Sequence, residues 1–222
     1  MRIRRKKNLT ERLEKVKNYL IVPDRDIVNV KIAIQDKRYF DYEKLFGNNK
    51  EVELEIGCGK GGFVCEKAKV CKMKNYIAVE LLENIIVMAA EKALSENIDN
   101  VRFVNSGAEY LPRYIKDGSI SNIYLNFSPP YPQDSYENRR LTCDRNVIMY
   151  KNFLMSGGSV IQKTDDKQFF EYSYKKFVEH GYSVEDVSLK IENGEIENIC
   201  TEYESKFRKL GMPIHALIAK KI

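Results

Sequence analysis

The ten residues LEIGCGKGGF (54–63) decide the fold of this chain, because they join a buried strand to a helix through a glycine-rich turn. The apolar run 51–56 predicts the strand, and the pattern that follows predicts a helix over 61–70. Gly57 and Gly59 let the backbone turn tightly and approach a ligand with no side chain in the way. A helix start also presents free N–H groups, so the turn predicts a site for a nucleotide-type ligand.

The rest of the chain alternates apolar, β-rich runs with helical patterns. Candidate strands are 51–56, 75–80, 101–105, 120–127, 158–163, 183–189 and 214–220. Candidate helices are 61–70, 83–96, 108–115, 144–155, 166–179 and 200–210. This alternation predicts an α/β fold with seven strands in a mostly parallel, Rossmann-like sheet and helices on both faces. We expect one domain over 51–222, preceded by a basic arm and a lead-in helix within 1–50.

Two acids near the turn indicate which nucleotide-type ligand it takes. Glu80 ends the next strand, 23 residues after Gly57, close to the spacing of a ribose-binding acid in such folds. Glu55 stands inside the first strand, where a dinucleotide site normally has an apolar residue. A carboxylate facing the ligand there repels a pyrophosphate and suits a cation, which favours S-adenosylmethionine. The alternative is that Glu55 lies at a solvated strand end.

Composition limits the class of protein further. The chain has 222 residues, 43% hydrophobic and 31% charged, which describes a folded globular protein. It contains no apolar run of membrane-spanning length and no signal-peptide pattern, and its five cysteines form no CxxC pair. We therefore expect a cytoplasmic protein with reduced thiols and no metal site. Residues 1–7 carry five basic residues and no acid, which accounts for the whole net charge of +5 and is typical of a phosphate-contacting arm.

The stretch NFSPPYPQDSYENRRLT (126–142) has two interpretations. Its core, Ser128 to Tyr131, resembles the tetrapeptide with which amino-methyltransferases hold an exocyclic base nitrogen. Its frame, an Asn-Phe-Ser opening and an Arg-Arg-Leu-Thr close, resembles the loop of enzymes that methylate a guanine ring nitrogen in tRNA.

Segments elsewhere in the chain favour the second interpretation. Over 51–222 the sequence closely resembles the bacterial tRNA (guanine-N7-)-methyltransferase family, and its basic start is similar too. The segments that carry the resemblance are LEIGCGKGGF, YIAVELLENII, YLNFS with RRLT, QKTDD, FEYS and TEYESKFRKLGMPI. The last of these, at 201–214, is the most specific.

The resemblance implies a class I methyltransferase fold, S-adenosylmethionine as cofactor, tRNA as partner, a guanine of the variable loop as target, and a monomer or homodimer. It implies that the cofactor is held by Glu55, Gly57, Gly59, Glu80, Gly107, Ala108 and Asn126. It implies Asp165 as the catalytic acid that contacts the guanine. The substrate-binding residues it implies are Pro129, Tyr131, Gln133, Arg139, Arg140, Asp165, Thr201, Glu202, Tyr203 and Glu204. Lys163, beside Asp165 at a strand end, is a candidate phosphate contact, with a plain surface ion pair as the alternative.

Four features depart from the family pattern. Pro129 replaces an acid, Tyr131 replaces a tryptophan, and Gly107 replaces an acid that contacts the cofactor. The fourth is the basic cluster of the loop, which is replaced by Gln133, Asp134, Ser135 and Tyr136. Guanine N7 carries an in-plane lone pair and no proton, so its methylation needs positioning more than proton transfer, and we expect activity to survive these changes. The alternatives are an exocyclic-amine methyltransferase that uses Ser128 to Tyr131, and a relative that binds tRNA without methylating it.

Overall fold

The computed structural model describes residues 8–24, 26–195 and 198–222. Its strands are β1 (Leu20–Ile21), β2 (Val52–Ile56), β3 (Asn75–Glu80), β4 (Val101–Asn105), β5 (Ile120–Asn126), β6 (Leu154–Thr164), β7 (Tyr182–Asp186) and β8 (His215–Lys221). Its α-helices are α1 (Leu9–Lys15), α2 (Val30–Ala33), α3 (Tyr42–Phe46), α4 (Gly62–Val70), α5 (Glu83–Ser95), α6 (Asp144–Phe153), α7 (Lys167–Glu179), α8 (Ser188–Glu192) and α9 (Glu202–Lys209). Two 3₁₀ helices cover Ala108–Arg113 and Asp134–Arg139.

The strands form one sheet in the order β1-β4-β3-β2-β5-β6-β8-β7. Neighbouring strands are parallel from β1 to β6, and β8 runs antiparallel between β6 and β7. The predicted α/β fold with a mostly parallel sheet is therefore confirmed.

Helices cover both faces of the sheet, and alternation along β3 shows how the two cores are separated. Tyr76 and Ala78 belong to a buried cluster with side chains of α1, α4 and α5. Ile77 and Val79 point the other way, into a cluster with side chains of α6 and α7. Because helices cover both faces of the sheet, a ligand can reach the central strands only at their ends.

The lead-in before β2 contributes more structure than the sequence predicted. Within the described ranges the sheet has eight strands rather than seven, because β1 pairs with β4 through Leu20 and Phe103. Helix α1 packs on α5, where Arg12 makes two 2.6 Å hydrogen bonds to the Glu91 carboxylate. Two residues are too short a strand to leave a periodic signal in the sequence. The basic arm predicted at 1–7 lies outside the described residues.

One predicted helix has a different form. Residues 108–115 were expected to be helical, and Ala108–Arg113 forms a 3₁₀ helix that contains Pro112. Proline has no N–H and cannot continue an α-helical ladder, which explains the shorter element. In the part of the chain that the structure describes, no helix is long and apolar enough to cross a bilayer.

Candidate functional site

A cavity of about 1220 Å³ opens at the carboxyl ends of the central strands. After β2 the chain builds β3 and β4 on one side of the sheet, and it returns to place β5 on the other side. Open α/β sheets bind ligands at such a switch point. The predicted cofactor residues all line this cavity: Glu55, Gly57, Gly59, Glu80, Gly107, Ala108 and Asn126.

The glycine turn forms the floor of the cavity beside β3. Gly57 and Gly59 have φ values of 82° and 54°, a left-handed conformation that side chains disfavour. The Glu80 carboxylate holds the turn, accepting from the Gly59 amide at 3.2 Å and from the Leu82 amide at 2.9 Å. Each oxygen keeps a lone pair, so Glu80 can still accept from ligand hydroxyl groups.

Glu53 and Glu55 are both buried on β2, and their partners differ. The Glu53 carboxylate accepts from Asn122 at 3.0 Å and from the Tyr124 hydroxyl at 2.9 Å, so both its oxygens are satisfied. Glu55 accepts from Asn126 at 3.0 Å through Oε1, and its Oε2 has no hydrogen-bond partner among the described residues. Glu55 is only 3% exposed, which rules out the solvated strand end that was the alternative. Burial raises the pKa of Glu55 to about 7, and the lowering effects of Asn126, Lys163 and the Val64 backbone offset only part of the rise.

The cavity wall holds several buried polar atoms without partners in the described part of the chain. They are Oε2 of Glu55, Oδ1 of Asn126, Oγ of Ser128 and Oδ1 of Asn146. Three of the four can only accept hydrogen bonds, the Ser128 hydroxyl can also donate, and a buried acceptor left unpaired costs about 1–3 kcal/mol. The wall therefore fits a ligand that carries positive charge and N–H donors, as S-adenosylmethionine does at its methionine end.

The loop between β5 and α6 covers the other side of the cavity. Pro129, Tyr131 and Arg139 line the cavity, and the Arg139 guanidinium lies 4.4 Å from the centre of the Tyr136 ring. Gln133 is exposed and lies outside the lining.

Arg140, predicted as a substrate contact, is buried inside this loop. Its guanidinium donates to the carbonyls of Pro130 and Tyr131 at 3.0–3.2 Å and lies 4.3 Å from the centre of the Tyr172 ring. These contacts make Arg140 a residue that positions the loop, with its donors directed at protein carbonyls.

Lys163 requires a correction. Its side chain is 4% exposed, and its ammonium group donates to Asn198 at 2.6 Å, Ile199 O at 3.1 Å and Glu204 at 3.0 Å. A phosphate of bound RNA cannot reach a buried group that already has three acceptors. Lys163 is therefore neither the surface phosphate contact nor the surface ion pair that the sequence suggested; it anchors residues 198–204 to β6.

In the segment TEYE at 201–204, some side chains are buried and hold the local structure, and at least one is exposed. Glu204 is fully buried and also binds Arg208 at 2.9 Å. Burial raises the pKa of Glu204, but the charge of Lys163 and three hydrogen bonds lower it by more, so the net shift is downward. Thr201 caps α9 by accepting from the Glu204 amide at 2.9 Å, and it also lines the cavity. Burial of Glu204 corrects its prediction as a direct substrate contact.

Tyr203 is exposed, with a relative residue accessibility of 61%. Its ring lies 6.3 Å from Phe127 and 6.4 Å from Phe207, at interplanar angles of 18° and 30°. The side chain of Glu202 lies outside the described residues.

Asp165, the predicted catalytic acid, is half-buried directly after β6, beside the end of β5. It is not among the residues that line the cavity, and no hydrogen bond or ion pair of its carboxylate involves another described residue. Its carboxylate is thus free to bind a ligand that extends past the loop.

The sequence interpretation missed several residues of the lining. They are Phe127, Asn138, Arg145, Asn146, Lys206 and Glu109. The segments RRLT and TEYE pointed to these regions, but neither indicates which neighbouring helix positions face the cavity.

Comparisons with known proteins agree with this geometry. A protein-family model described as "Putative methyltransferase" matches residues 49–217. The tRNA (guanine-N(7)-)-methyltransferase of Bacillus subtilis (strain 168) is 39% identical over 190 residues, covering 84% of this chain and 89% of that protein. The corresponding enzyme of Listeria welshimeri is 40% identical, covering 81% and 84%.

Among solved structures, the 16S rRNA methyltransferase KamB matches with a TM-score of 0.59 at 14% identity, covering 83% of this chain and 95% of that one. At this identity the match establishes the fold only. On the sequence matches, this chain belongs to the family of tRNA (guanine-N(7)-)-methyltransferases.

Proposed function

We propose that this protein transfers a methyl group from S-adenosylmethionine to N7 of a guanine in the variable loop of tRNA. The observation that carries the proposal is the unpaired Oε2 of Glu55, a buried acceptor on a residue that lines the cavity at the switch point. Family membership at 39–40% identity supports the same activity.

In this proposal, residues of β2, β3 and β5 bind the cofactor. Glu55 and Asn126 offer acceptors to the ammonium group of the methionine moiety, and Glu80 offers acceptors to the ribose hydroxyls. The backbone of Gly57 and Gly59 leaves the room that the ligand needs. When bound, S-adenosylmethionine supplies an electrophilic methyl group, and the nitrogen that accepts it gains the positive charge that the sulfur loses.

Methylation of guanine N7 requires no proton transfer, because N7 carries no hydrogen. The main task of the protein is therefore to position the base. Asp165 has a free carboxylate that can accept from the N1–H and N2–H₂ edge of guanine. Ser128 has a buried, unpartnered hydroxyl in the cavity wall, and this hydroxyl can hydrogen-bond to the same edge of the guanine. Pro129, where the family pattern has an acid, is exposed and adds no charge. Holding the reacting atoms in an aligned geometry can supply much of the rate enhancement.

The rim of the cavity has the composition of a single-stranded RNA site. Tyr203, Phe127 and Phe207 form a stacked aromatic group, and unstacked RNA bases bind to such faces. Arg139 and Lys206 stand at the same rim and suit phosphate oxygens. The Lys163–Glu204 pair fixes the start of α9, so we assign both residues a positioning role for this aromatic group.

The proposal is tested by incubating the protein with labelled S-adenosylmethionine and unmodified tRNA transcript, followed by borohydride–aniline cleavage, which cuts at N7-methylguanine. Label together with one cut in the variable loop is the expected result. Label without any cut would assign an exocyclic amine instead, and bound cofactor without label would contradict a methyltransferase of tRNA.

The role of Asp165 is tested by Asp165→Ala. We expect turnover to fall by two orders of magnitude or more while cofactor affinity stays unchanged. Asp117→Ala removes an exposed acid at the opposite end of β5 and should leave both quantities unchanged. Loss of cofactor binding in Asp165→Ala would assign the residue to the other ligand.

A further inference from the structure

Glu109 occupies the space that a side chain at position 107 would need. A Cβ atom built on Gly107 would lie 2.5 Å from Oε2 of Glu109 and 2.7 Å from its Cδ and Oε1. The Glu109 carboxylate therefore lies directly over the backbone of Gly107, within the first turn of the 3₁₀ helix. The absence of a side chain at Gly107 makes this position possible.

The same carboxylate faces the cavity. Glu109 is half-buried and lines the cavity together with Gly107 and Ala108. Among the described residues it has no hydrogen-bond or ion-pair partner, whereas the half-buried Glu91 is paired with Arg12 at 2.6 Å. It is thus a charged acceptor held at the cavity wall with its lone pairs unused.

Strand order indicates which part of the ligand lies there. Glu55 on β2, Glu80 on β3 and Glu109 after β4 stand at the ends of three consecutive strands, which are spaced about 4.8 Å apart. A nucleoside that places its cationic tail at Glu55 and its ribose at Glu80 brings its base to the end of β4. The exocyclic amine of adenine is the hydrogen-bond donor on that base.

We propose that Glu109 accepts a hydrogen bond from the 6-amine of the cofactor's adenine, taking the place of a side chain at position 107; this inference rests on the cofactor named in the proposed function. Gly107 and Glu109 then act as a pair, because the glycine leaves the room into which the acid folds. The pair makes Glu109 a specificity-determining residue for adenine.

The test measures affinity by calorimetry for S-adenosylhomocysteine and for its analogue in which hydrogen replaces the 6-amine. A hydrogen bond to a charged group corresponds to roughly a 10- to 100-fold effect on affinity. Wild-type protein should prefer the amine-bearing ligand by that factor, and Glu109→Ala should lose the preference. Glu109→Gln, which keeps an acceptor without the charge, should be intermediate. Gly107→Asp in the Glu109→Ala background should restore the preference, because it returns a carboxylate to the same space.

Asp99→Ala is the matched control, since it removes an acid that is 89% exposed at the opposite end of β4. It should leave the preference intact. An unchanged preference in Glu109→Ala, with normal affinity for S-adenosylhomocysteine, would overturn the role of Glu109 alone. Wild-type protein that bound neither ligand would overturn the proposed function, and the inference with it.

Discussion

Replacing Glu55 by glutamine should stabilise the fold and weaken the cofactor site at once. Burial raises the pKa of Glu55 from its ordinary value of 4.5 to about 7. The folded state therefore keeps a proton that the unfolded chain loses between these two pH values, so stability falls as pH rises through this window. One pKa unit corresponds to about 1.4 kcal/mol, so the charged carboxylate costs the folded state about 3 kcal/mol at pH 8.

Urea unfolding of wild type and Glu55→Gln between pH 4 and pH 8 measures this cost. The difference in free energy of unfolding should grow by about 3 kcal/mol in favour of the variant over that range, because glutamine does not titrate. Glu53→Gln is the matched control on the same strand: both oxygens of Glu53 already accept hydrogen bonds, so it should bring no gain in stability. A difference between Glu55→Gln and wild type that stays constant with pH would refute the argument.

The same variant tests the cationic ligand. A positive charge at Glu55 favours the carboxylate, so S-adenosylhomocysteine binding near pH 7 should release up to about half a proton from wild type, because Glu55 with a pKa of about 7 is half protonated there, and none from Glu55→Gln. Calorimetry in two buffers of different ionisation enthalpy measures the number of protons released on binding. The variant should also bind the ligand at least tenfold more weakly at pH 8. Equal affinity, or equal proton release, would mean that the ligand's charge lies elsewhere.

Three further perturbations test other parts of the structure. Glu204→Ala should destabilise the fold by about 3–5 kcal/mol in urea unfolding at pH 7, because it leaves the buried Lys163 without its counter-charge. The difference from wild type should shrink as pH falls below the ordinary carboxyl pKa of 4.5, because wild type then loses the stability that the lowered pKa of Glu204 contributes. Gly61→Ala should lower the unfolding temperature more than Gly47→Ala, since both glycines have positive φ but only a Cβ at Gly61 meets Ala89, at 2.8 Å. Deleting residues 1–7 should weaken tRNA binding and reduce the slope of log affinity against log salt by about 0.9 per lost duplex contact, and an unchanged slope would contradict a phosphate-contacting arm.

Local patterns predicted most of the sheet and one half of the site. Strand and helix periodicity located β3 and β4 at their observed bounds, because buried parallel strands are short apolar runs between helices. The glycine turn and the acids Glu55 and Glu80 were recognisable because their roles depend on spacing along the chain. The residues proposed for the cofactor could therefore be named from the sequence, and the structure brings them together in one cavity.

The substrate end depends on contacts between distant segments, which no local pattern reveals. Lys163 at a strand end reads as a surface residue, yet its partner Glu204 lies 41 positions away and buries it. Glu109 gains its position only because Gly107 has no side chain. A resemblance to relatives indicates which residues correspond. The burial of those residues and their hydrogen-bond partners become known only from the structure.

The position of β8 between β6 and β7 has a consequence for synthesis on the ribosome. Residues 215–221 supply the central strand of this edge, pairing with β6 on one side and β7 on the other. A nascent chain that ends before this segment leaves two strands with open edges, which is a hazard for aggregation. The lysine and glutamate that anchor α9 lie in the same region, so the proposed RNA-binding half of the cavity is assembled after the proposed cofactor half has been translated.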